Sequence, residues 1–73
     1  MRTINEIINM NTFNRNIFLL KYGKKLGAVD LEATTCLRFE YDKHIFNLFF
    51  DTDTNDFLNG ICKAPNGEII RFN

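Results

Sequence analysis

Tryptophan and serine are absent from this 73-residue chain, proline and histidine occur once each, and there are two cysteines and four glycines. Without serine there is no serine nucleophile and no Gly-x-Ser-x-Gly turn to present one. Gly23 and Gly27 flank lysines, but neither their spacing nor the residues after them match a phosphate-cradling loop. His44 has only Asp42 and Glu40 as near acidic neighbours, and the pleat of a strand would send Cys36 to the opposite face from it. Cys36, Cys62 and His44 lack the close ligand pairs of a structural zinc site. Asp51, Asp53 and Asn55 match the first ligand spacings of a calcium loop. That loop then needs glycine where Asp56 stands and glutamate where Cys62 stands. The expectation is a protein without catalytic residues, metal or cofactor.

Net charge is missing too, with nine lysines and arginines against nine aspartates and glutamates. A balanced chain has no overall field to draw in nucleic acid or an anionic membrane. No apolar run approaches the roughly 18 residues of a membrane span, and the N-terminus has no secretory apolar region. A cytoplasmic protein with reduced thiols is therefore expected.

What the chain does have is aromatic mass: eight phenylalanines and two tyrosines. A chain this short buries only about 60% of its unfolded surface, so bulky rings are the means of filling one core. We read residues 1–73 as a single domain. Ten asparagines, with many isoleucines, lysines and phenylalanines, match the usage of AT-rich genomes such as those of many phages.

The clearest local pattern runs from Leu37 to Phe50. A tight turn at Asp42-Lys43 pairs Tyr41 with His44, Phe39 with Phe46 and Leu37 with Leu48, all on one face. Thr3 to Glu6 has capping-box spacing and Ile4, Ile7 and Ile8 follow in a stripe, predicting a helix over residues 3–11. Ile17 to Tyr22 reads as a strand turning at Lys24-Lys25, with Leu31 then set beside Leu37 and Val29 beside Phe39. Residues 12–25 also fit a second helix capped by Thr12, because short apolar runs do not separate the two. Thr54 or Asn55 is expected to cap one helical turn through Leu58. Ala-Pro-Asn-Gly then closes a hairpin with Lys63 opposite Ile69 and Cys62 opposite Ile70. The fold class is α+β: an N-terminal helix packed on an antiparallel β-meander of about four strands, followed by a C-terminal β-hairpin.

Two surfaces emerge as functional leads. The face away from the core would carry Ile17, Leu19, Arg38, Ile45 and Phe49, the composition of a contact with another protein, either a host protein or a second copy. The alternative is that the final hairpin or the N-terminal segment covers this side. Lys21, Tyr22, Lys24 and Lys25 form the one basic cluster, where an exposed tyrosine among lysines would suit a nucleic acid. If Tyr22 turns into the core, those lysines only solubilise a turn.

Overall fold

Thr3 opens the first helix through a reciprocal cap. Its hydroxyl accepts from the Glu6 N–H at 3.1 Å, and the Glu6 carboxylate accepts from the Thr3 N–H at 2.9 Å. The helix, α1 (Ile4–Asn9), ends when Met10 takes extended geometry. This computed structural model describes residues 2–73.

Asn11 then caps a second helix, α2 (Thr12–Tyr22), its side-chain oxygen accepting from the Asn14 N–H at 2.8 Å. The strand expected at Ile17–Tyr22 is therefore helical; the alternative helix is realised, but its cap is Asn11 and Thr12 is its first residue. Periodicity alone is ambiguous here; the cap and the burial of Leu19 beneath the helix decide it. Gly23 makes the exit possible. Its N–H donates to the Leu19 carbonyl, and a Cβ at this position would sit 2.8 Å from that oxygen and 3.2 Å from the Glu40 carbonyl.

Five antiparallel strands follow in simple meander order: β1 (Lys24–Asp30), β2 (Thr34–Tyr41), β3 (His44–Asp51), β4 (Phe57–Lys63) and β5 (Ile69–Phe72). The β2–β3 pairing is the one expected, with Asp42 and Lys43 at φ 50° and 63° in the two left-handed positions of a tight hairpin turn. The β4–β5 register also agrees, with Gly67 at φ 91° closing its loop.

Two expectations are corrected. Val29 pairs with Cys36 and Ala28 with Leu37, because the chain turns at Glu32-Ala33 and a bulge separates Lys25 from Gly27. That odd shift in register moves Val29 and Leu31 off the core face. Nor does a helical turn follow Thr54. Asn55 takes φ 64° and Phe57 pairs with Phe50, so the segment enters β4 instead.

Both helices lie on one face of the sheet. Ile7 and Leu19 join Phe39, Phe46, Leu48, Phe50 and Cys62 in a single core, with Phe18, Leu37, Tyr41, Ile70 and Phe72 packed around it. No described helix is long and apolar enough to cross a membrane.

Candidate interaction surfaces

Among the described residues no helix covers the opposite face of the sheet, where Cys36 is buried and Ile45, Phe49 and Ile61 are half-buried. Adjacent strands line up its side chains in rows: Lys24, Glu40, Ile45, Lys63 and Ile69; then Gly27, Arg38, Asn47, Ile61 and Arg71; then Val29, Cys36, Phe49 and Asn59. None of these residues belongs to the core cluster. Arg38 Nε donates to the Asn47 side-chain oxygen at 2.9 Å. Four cations share the first two rows with one carboxylate, Glu40, so an apolar strip through Ile45, Phe49 and Ile61 is bordered by positive charge. Among the described residues the one ion pair lies elsewhere, between Arg2 and Glu6.

Of the five residues expected on this face, Arg38, Ile45 and Phe49 are brought together there. Ile17 and Leu19 are not: both belong to α2, with Ile17 exposed on its outer side and Leu19 fully buried in the core. Placing that segment in a helix is what removes them from the sheet. Ile61, Arg71 and Val29 take their place, and the alternation of β4 and β5 already carried the signal for the first two.

Lys21, Tyr22, Lys24 and Lys25 cluster where α2 passes into β1. Tyr22 is 60% exposed, so it does not turn into the core. Lys21 Nζ stands 5.3 Å from its ring centre, and Phe18 lies between Tyr22 and Tyr41 at centroid distances of 5.0 and 5.2 Å. With Arg2 these three rings line an open cleft of ≈ 600 Å³.

Net neutrality conceals a separation of charge. Asp30, Glu32, Asp51, Asp53 and Asp56 all gather at the other end of the sheet, where Thr52 N–H donates to the Ala33 carbonyl and joins the two loops. Asp51 there accepts from the Asp53 and Thr54 N–H groups at 2.9 and 3.0 Å. Those backbone bonds, the one from Thr54 foremost, hold its carboxyl below the usual range. The carboxylate thus serves its own turn. No group of three or more histidine, cysteine or acidic side chains able to hold a metal occurs among the described residues.

His44 sits at the β2–β3 tip with Nδ1 donating to the Asp42 carbonyl at 2.7 Å. Cys36 faces the outer side and Cys62 the core, so the sheet itself lies between the two free thiols. Burial raises the pKa of both, Cys62 to about 11, while Arg38 partly offsets the rise at Cys36.

One residue central to the structure carries no functional signal in sequence. Arg15 is only 1% exposed, donates from Nη1 to the Ile8 and Met10 carbonyls at 3.1 and 3.0 Å, and rests on the rings of Phe57 and Phe72. Comparison with protein-family models, curated proteins and solved structures finds no match to this chain.

Proposed function

We propose that this chain is a non-enzymatic, cytoplasmic module that binds another protein through the outer face of its sheet. The supporting observation is that both helices cover the same side, leaving Ile45, Phe49 and Ile61 bordered by Arg38, Lys63 and Arg71. Aromatic and arginine side chains are the usual anchors of such contacts. The surplus of cations selects a partner with an apolar patch rimmed by carboxylates. The phage-like residue usage extends the proposal to a host protein that the chain inhibits or modulates.

A second reading has its own support. Exposed Tyr22 with Lys21 over its ring, next to Lys24, Lys25 and Arg2, has the parts for stacking a base and meeting phosphate. The sheet face is preferred because it has one aromatic ring among aliphatic side chains, which suits a protein better than a row of bases.

Affinity capture from the native host separates the two. A protein retained through high salt and nuclease, and lost with Phe49→Glu but not with Tyr22→Ala, supports the sheet face. Nucleic acid that dissociates as salt rises and is lost with Lys24→Glu moves the site to the lysine cluster. Capture indifferent to Phe49→Glu and Arg38→Glu rejects the sheet face altogether.

A further inference from the structure

The outer side of α2 carries a second apolar surface. Phe13, Ile17 and Leu20 recur at i, i+4 and i+7, forming one stripe on the side of the helix away from Arg15 and Leu19. They are 73%, 48% and 61% exposed. Single exposed apolar residues are ordinary, but three large ones in a row on one helix are a contact surface.

We propose that this stripe joins two copies of the chain, with α2 packed antiparallel on α2 of the second copy about a two-fold axis near Ile17. Such a contact sets a patch against itself, so the patch must tolerate its own charge. The outer sheet face does not, since its surplus cations would meet one another. The stripe does, because its charges are mixed: Lys21 stands at one end, Asp56 shares a cleft with Phe13 at the other, and Arg2, which shares a cleft with Ile17, is paired with Glu6.

Charge also selects the direction. α2 begins at the acidic end of the molecule, where Thr12 and Phe13 share a cleft with Asn55 and Asp56, and it ends at Lys21. Antiparallel packing therefore brings the basic end of each copy to the acidic end of the other. Parallel packing would bring like ends together. Lys21 of one copy then lies beside Phe13 of the other, next to that copy's Asp56. The stripe spans about 10 Å of helix, so the contact is smaller than the roughly 800 Å² per partner of a standard interface. A dimer dissociating in the micromolar range is expected. The outer sheet face of each copy stays open in it.

Sedimentation equilibrium over a concentration series tests this. The wild-type mass should rise from 8.6 kDa toward twice that value. Ile17→Glu should remain monomeric with an unchanged circular dichroism spectrum. Lys21→Glu or Asp56→Lys alone should weaken association about tenfold, and the double variant should recover most of it, because it inverts both ends together. A wild-type monomer at every concentration overturns the proposal, as does a dimer that survives Ile17→Glu. A dimer lost with Phe49→Glu but kept with Ile17→Glu places the contact on the sheet face instead, also against the proposal.

Discussion

Arg15 and Phe72 lie 57 positions apart in the sequence, and the guanidinium carbon of one stands 4.7 Å from the ring centre of the other. Phe57 receives the same cation at the same distance, and the two rings stack at 6.2 Å. Arg15 thus fastens the end of α1 to the last two strands. It supplies donors to carbonyls that a helix leaves unpaired at its C-terminus, and a cation where the helix dipole is negative. No carboxylate pairs with it among the described residues, and its Nε is buried without a partner. Burial accordingly lowers its pKa from the ordinary arginine value.

Replacing this side chain should separate its packing from its charge. Arg15→Ala removes the volume and both carbonyl bonds, and should destabilise the fold by about 2–4 kcal/mol in urea unfolding. Arg15→Met keeps most of the volume and avoids burying a charge, so its cost should stay within about 1 kcal/mol. Equal losses in the two variants would mean that the cation itself is indispensable.

Gly60 is the floor beneath Phe72. A Cβ there would run into the Phe72 ring, so Gly60→Ala should cost about 1–3 kcal/mol by displacing it. The loss should be much smaller when introduced into Phe72→Leu, where the obstructing ring is gone. Additive losses in the double variant would refute the clash.

The thiols give a reactivity test. Cys62, with its pKa pushed up to about 11 and no exposed surface, should resist alkylation at neutral pH until urea unfolds the chain. Because its folded pKa lies above the ordinary 9.0, the unfolded state gives up its proton first as pH rises. Stability from this group is therefore intact below that value and declines between it and about 11. The decline should be absent in Cys62→Ala measured against its own neutral-pH stability.

At the acid limit the sign reverses. Glu6 is held below its ordinary 4.5 chiefly by the Thr3 backbone N–H, and Asp51 below 3.8 by the Thr54 and Asp53 N–H groups. Both contribute stability above those values and lose it as pH falls through their lower folded ones. Glu6→Gln and Asp51→Asn preserve an acceptor oxygen but cannot titrate. Each should flatten the acid side of a stability profile.

Lys43 holds φ 63° without being glycine. Lys43→Gly should stabilise the hairpin by about 0.5–1 kcal/mol, read as a rise in the urea midpoint at constant slope. A fall would show that the lysine side chain contributes more than its backbone strain costs.

Local chemistry determined much of this molecule directly. The capping box at Thr3 and Glu6, the two-residue turn at Asp42-Lys43 and the Pro-Asn-Gly loop are each settled by neighbouring residues, so α1, β2–β3 and β4–β5 were legible with their registers. Arg38, Ile45 and Phe49 were assigned to one face by the same strict alternation along β2 and β3.

Long-range packing decided the rest. Ile17–Tyr22 is apolar enough for either a helix or a strand, and only the sheet beneath it made Leu19 inward and Ile17 outward. The turn at Glu32-Ala33, with its odd shift in register, settled which side Val29 faces. Charges that cancel in the composition were drawn apart by the meander, which returns Asp30 to the same end of the sheet as Asp51 and sets Lys24 at the end of the β2–β3 tip. An arginine that reads as a surface residue became buried because two distant phenyl rings and two helix-end carbonyls meet only once the chain has folded. Spacing along a chain specifies which residues share a face; which faces meet is specified by how much apolar surface each leaves to be covered.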